Sequence, residues 1–98
     1  MAGLAIGLLS FSIIKTGNIR GKILPAGSAL TVIAVQGTDT LRTAVSNGNF
    51  AFQNIKTGTY TIVVKAIPPY LDATVKNVAV IDSVTTDVGL IKLQNKEL

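Results

Sequence analysis

The sequence predicts an all-β fold: a seven-stranded antiparallel β-sandwich of two sheets, with an apolar N-terminal segment outside the sandwich. Three observations carry this expectation. Hydrophobic residues make up 48% of the chain and charged residues only 14%, and β-branched Val, Ile and Thr dominate after Lys15, which suits pleated, half-buried surfaces. Apolar positions recur with a period of two in one run after another, and no helical period is sustained between Lys15 and Leu98. Turn signals fall roughly every 8 to 12 residues, the spacing of a sandwich.

The 98 residues fit a single domain and divide into two parts, an apolar segment over 1–14 and a sandwich over 15–98. Asn18 to Leu24 alternates Ile19, Gly21 and Ile23 with Asn18, Arg20 and Lys22, the pattern of a strand with one wet face. Pro25-Ala26-Gly27-Ser28 breaks it. Ala29 to Gln36 is apolar at both parities, Val32 and Ala34 against Ile33 and Val35, and is expected to be covered on both sides. Gly37-Thr38-Asp39 turns the chain into Thr40 to Ser46, where Leu41, Thr43 and Val45 alternate with Arg42 and Ala44.

Asn47-Gly48 is the strongest short-range hairpin signal in the chain, because both residues tolerate the positive φ of a primed turn. It is expected to fold the preceding strand back onto Asn49 to Gln53, whose Phe50 and Phe52 project from one face into the core. A second turn of the same kind is expected at Thr57-Gly58. Thr59 to Ile67 then sets Tyr60, Ile62, Val64 and Ala66 against Thr59, Thr61, Val63 and Lys65, and Pro68-Pro69 ends it. Leu71 to Ile81 changes phase midway, since Leu71, Ala73 and Val75 share one parity and Val78 and Val80 the other. A bulge or bend near Lys76-Asn77 is expected there. Asp82-Ser83 leads into Val84 to Leu93, and the polar tail from Gln94 is expected to fray.

These residues resemble the carboxypeptidase regulatory-like domains, which have the prealbumin-like (transthyretin-like) β-sandwich fold. The resemblance is carried by Gly21-Lys22-Ile23, Val32-Ile33-Ala34-Val35, Asn47 to Phe52, Asn54 to Thr61 with its Gly-Thr-Tyr, Pro69-Tyr70, Asn77 to Val80 and Gly89 to Leu93. It implies a secreted, periplasmic or cell-surface bacterial module, of a kind often appended to peptidases, adhesins or outer-membrane receptors. It implies no ligand. Some sandwich adhesin domains of similar topology cross-link themselves by a lysine-to-aspartate isopeptide bond, and Lys22 and Asp87 stand at suitable ends of the chain for one. Lys22 shares the parity of Arg20 and no Glu lies in a middle strand, so both are expected to face water.

The residue inventory narrows the chemistry. With no histidine, the usual general base, the commonest metal ligand and any serine–histidine triad are absent. With no cysteine there is no disulfide, thiolate zinc site, cysteine nucleophile or lipid-anchored cysteine. Of the five carboxylates, Asp39, Asp72 and Asp82 sit in or beside turns, where they cap local backbone, and Glu97 lies in the tail, which leaves Asp87 alone. The net charge of +4 comes from cations scattered along the chain, without the basic stripe and exposed aromatics of a nucleic-acid reader. No catalytic residue, cofactor or metal site is expected, and the chain reads as a non-catalytic module with a structural or interaction role. Tyr60, just after Gly58 at a strand start, is expected to form a tyrosine corner, its hydroxyl bonded back to a nearby turn. An alternative reading is a carbohydrate- or peptide-binding module, for which Tyr70 is the candidate contact because Phe50, Phe52 and Tyr60 belong to the core.

The run over 1–14 holds Leu4, Ile6, Leu8, Leu9, Phe11, Ile13 and Ile14 and no charge. A membrane-spanning helix needs about 20 apolar residues, so any membrane contact through this segment is expected to be transient. The length suits the hydrophobic region of a secretion signal, with Ser10-Phe11-Ser12 as a small-x-small cleavage site, although a positively charged start is missing. Where the segment is retained, its apolar surface demands a cover. The expectation is then a self-assembling subunit, a homo-oligomer in which this segment is buried in a neighbouring copy by strand addition or helix packing.

Overall fold

The computed structural model describes residues 14–96, and the regular elements among these residues are all strands: β1 (Thr16–Leu24), β2 (Ala29–Gln36), β3 (Asp39–Ala44), β4 (Asn49–Lys56), β5 (Gly58–Ala66), β6 (Ala73–Val80) and β7 (Thr85–Lys92). They form two packed sheets, one of three strands in the order β4-β1-β7 and one of four in the order β3-β2-β5-β6. Every stretch read as a strand is one, and the alternating residues explain why. In β1, Ile19 and Ile23 are buried while Arg20 and Lys22 between them are exposed. From the other sheet Val32, Ile62 and Val64 meet them, and these five are the largest fully buried side chains. Phe50 and Phe52 lie edge to face, with centroids 6.3 Å apart and ring planes at 73°.

The sheets are not purely antiparallel. β1 pairs antiparallel with β4 but parallel with β7, Arg20 opposite Asp87 and Ile23 opposite Ile91. A hairpin would force neighbouring strands to run in opposite directions. Here five strands in both sheets separate β1 from β7, so no tight turn constrains their relative direction.

The Asn47-Gly48 turn is present, with φ of 53° and 80°, and Ser46 and Asn49 donate to each other's carbonyl oxygens at 2.9 Å. The expected hairpin is not, because past that one bridge β3 and β4 part into different sheets. Both segments carry an apolar face, Leu41 of β3 with Val45 just beyond its end on one side, and Phe50 and Phe52 of β4 on the other. Setting them in facing layers buries both faces in one core. Thr57-Gly58 is likewise a crossing between the sheets: Gly58, at φ 145°, already pairs with Val80 as the first residue of β5.

β6 has the expected slip. Val78 faces Tyr60 and Val75 faces Ile62, with a register shift between them and Asn77 at φ 60°, so both apolar sets of β6 turn inward. Two further expectations are corrected. Ile33 and Val35 of β2 are half-exposed on the outer face of the four-stranded sheet, whereas Val32 and Ala34 are fully buried, so β2 is a central strand covered on one side. The tail is tied down as far as Lys96. Leu71 donates its N–H to the Gln94 oxygen and Lys96 donates to the Pro69 oxygen, each at 2.9 Å, because the Pro68-Pro69 segment turns back beside it. The expectations for Leu4, Ile6, Leu8, Leu9, Phe11 and Ile13, as signal or assembly segment, lie outside the described residues. Ile14 is exposed.

Candidate functional site

At one end of the sandwich stand the chain entry at Thr16, the β2–β3 turn, the β4–β5 crossing and the β6–β7 turn. The Tyr60 hydroxyl donates to the Lys56 carbonyl oxygen at 2.7 Å, and the ring is 2% exposed. This is the expected tyrosine corner, and it pins the crossing from one sheet to the other. Burial, helped by the negative charge of Asp39, pushes the Tyr60 phenol above its ordinary pKa. Beside it a cleft of about 390 Å³ opens between the start of β3 and the end of β4. Leu41, Ile55, Tyr60 and Ile14 give it an apolar lining, and Asp39, Asn54 and Lys56 line it as well. Sequence reading missed this cleft, because Leu41 and Ile55 look like ordinary core positions until β3 and β4 are known to separate.

Tyr70 is at the opposite end. It is half-buried against the core, donates its N–H to the Ile67 oxygen at 2.9 Å and pairs with Asn95. A depression of about 340 Å³ there is lined by Tyr70, Pro25, Lys92, Leu93, Gln94 and Asn95. Phe50 and Phe52 are buried as expected, so neither adds a face to a stacking platform with Tyr70.

The outer face of the three-stranded sheet is polar. Arg20 at its centre donates from Nε to Asp87 at 3.2 Å, and both side chains are more than half exposed. Asp87 also accepts the Gly89 N–H at 2.8 Å, which holds the bulge where β7 slips against β1. Lys22 stands opposite Leu90 and is exposed. The pair weighed for an isopeptide bond therefore faces water, with Asp87 already engaged by Arg20, and lacks the burial that would suppress both charges.

Of the turn aspartates Asp39, Asp72 and Asp82, each expected to cap local backbone, Asp72 is the one that does so. Asp72 Oδ1 accepts the Ala66 N–H at 2.8 Å and Oδ2 accepts from Lys65 at 3.3 Å, and chiefly the backbone bond holds this carboxyl below its ordinary pKa. Asp82 meets only the neighbouring Ser83 hydroxyl at 3.4 Å, and Asp39 begins β3 opposite Gln36. Among the described residues no three Asp or Glu side chains cluster closely enough to hold a metal ion. Site expectations on Leu4 to Ile13 stay outside the described residues.

No protein-family model matches the chain, and no curated protein matches it. Six chains of solved structures do match. One is described as "The Bacillus anthracis TIE protein", at a TM-score of 0.65 and 14% identity, with 83% of this chain and 17% of that chain covered. The present chain thus spans about a sixth of the length of that protein, and at this identity the likeness shows the fold alone, a β-sandwich.

Proposed function

We propose that the chain is a non-catalytic β-sandwich module with a structural or interaction role, of the prealbumin-like kind found in carboxypeptidase regulatory-like domains, acting in a secreted, periplasmic or cell-surface setting. One observation carries the reading: polar side chains with assigned partners are mostly spent on the fold's own backbone. Tyr60 bonds to Lys56, Ser28 to Pro25, Asn18 to Asn54, Thr86 to Ala79, Asp72 to Ala66 and Asp87 to Gly89. Groups so used fix turns, bulges and the seam between sheets, and are not free to bind or transform a substrate. Two packed sheets of three and four strands support the sandwich part of the resemblance, and the match to a fraction of a longer chain supports the modular part. The extracellular setting rests on the resemblance and on the apolar run.

The test is a panel of ester, glycoside and peptide substrates offered to the purified chain. No turnover above buffer is expected. Turnover that co-purifies with the chain and disappears on Arg20→Ala or Asp87→Ala would overturn the proposal.

A further inference from the structure

We propose that the depression around Tyr70 binds one uronate unit of an acidic polysaccharide, a sugar ring that carries a carboxylate. This deepens the interaction role proposed above and rests on it. The first argument is charge. The ion pairs among the described residues are Arg20–Asp87 and Lys65–Asp72, so Lys92 and Lys96, both exposed, have no carboxylate partner there. Asp72, two residues beyond Tyr70, is already engaged by Lys65 and the Ala66 N–H. Among the described residues this end of the sandwich therefore carries positive charge that no acid offsets, and it favours an anion.

The second argument is the lining. Tyr70 packs against the core and also lines the depression, and Pro25 and Leu93 extend its apolar surface. The face of an aromatic ring is electron-rich and attracts the polarised C–H groups on one side of a pyranose ring. Gln94 brings an amide that both donates and accepts, as sugar hydroxyls do, and Lys92 brings an ammonium for the carboxylate. The volume of about 340 Å³ is at the small end of the usual range for ligand sites, about 300–1,000 Å³, and suits one sugar unit with its chain continuing over the surface.

The third argument separates a sugar from an acidic peptide. An extended peptide added to a sheet edge is held by unpaired main-chain groups. Here those groups are engaged: the N–H groups of Leu71, Lys96, Leu93 and Tyr70 donate to the oxygens of Gln94, Pro69, Leu24 and Ile67, each at 2.9 Å, and Pro25 has no N–H to give. Side chains are what the depression offers a ligand, and a ring with hydroxyls and one carboxylate matches them.

The test is an NMR titration of the full chain with a short oligogalacturonate at physiological ionic strength, which screens long-range attraction. The methyl-esterified oligomer, with the same rings and no charge, and polyglutamate, with the charge and no rings, are the comparison probes. Because Tyr70 packs on the core, the deciding variant is Lys92→Gln at an exposed position, with Lys76→Gln on β6 removing the same charge elsewhere. The expected result is saturable binding with a Kd on the order of millimolar, shifts centred on Tyr70, Leu93 and Gln94, and binding at least about fivefold weaker for Lys92→Gln and for the esterified oligomer, with Lys76→Gln unchanged. Equal weakening by the two lysine variants, or polyglutamate binding as tightly, would overturn the proposal by reducing it to diffuse charge or to a peptide site. Equal binding of the esterified oligomer would overturn it by showing that the carboxylate is not read. No saturable binding would overturn it and leave the non-catalytic reading standing, since that reading fails by turnover, and cleavage of the oligomer would remove the reading on which the proposal rests.

Discussion

Replacing Tyr60 by Phe tests the corner that holds the two sheets in register. The ring is 2% exposed and remains in place, so the substitution removes one hydrogen bond, the 2.7 Å contact from the hydroxyl to the Lys56 oxygen, and leaves the packing unchanged. A buried neutral bond of this kind contributes about 1 kcal/mol net. For a domain of this size that corresponds to a fall in Tm of roughly 4–8 °C, and to a urea midpoint lowered by roughly 0.3–1 M at unchanged slope. The same substitution has a signature in pH. Burial and then Asp39 raise the folded phenol above 10.0, so retention of its proton stabilises the folded state fully below pH 10.0, and that contribution disappears as pH rises through the folded pKa. Wild type should therefore lose stability above pH 10.0 more steeply than the Phe variant, and the gap between them should narrow. Paired urea titrations at neutral and alkaline pH measure both effects. Midpoints that coincide at neutral pH, or a gap that stays constant through the alkaline range, would refute the reasoning.

Two further substitutions probe other parts of the fold. Gly21→Ala would place a Cβ 2.6 Å from the Phe50 ring and from a Val88 methyl, inside the core, and should cost about 1–3 kcal/mol in thermal denaturation; a neutral result would mean that the ring does not lie over Gly21. Asp72→Asn should destabilise at neutral pH by under about 1 kcal/mol, as expected for an exposed charged group. Because the folded carboxyl titrates below 3.8, its contribution is present above that pH and lost as pH falls through the folded value, so the two proteins should converge in acid; a difference unchanged at low pH would remove the charge from the explanation.

Much of the architecture was legible in the residues because its causes are local. The two-residue alternation in Asn18 to Leu24 depends only on the pleat, and the phase change in Leu71 to Ile81 had to become a bulge to keep both apolar sets inward, as Asn77 now shows. The positive φ at Asn47 and Gly48 and the hydroxyl of Tyr60 reaching back to Lys56 were equally readable, since each is settled within a few residues. The candidate site was less so. Tyr70 could be picked out by composition, but its half-burial over the core end comes from the return of the tail to Pro69-Leu71.

The assignment of strands to sheets was decided by tertiary structure alone. A turn such as Asn47-Gly48 reverses the chain whether the flanking strands go on to pair or to face each other across a core, and its own bonds are satisfied either way. What separates the outcomes is the burial available to Leu41 and Val45 together with Phe50 and Phe52, a sum over residues from both sheets. The parallel pairing of β1 with β7 and the cleft between β3 and β4 follow from that same partition. The sequence by itself determined where the chain extends and where it turns, because those preferences act between near neighbours. Which strands share hydrogen bonds and where the surface opens depend on closing the whole core at once, and no local pattern encodes that.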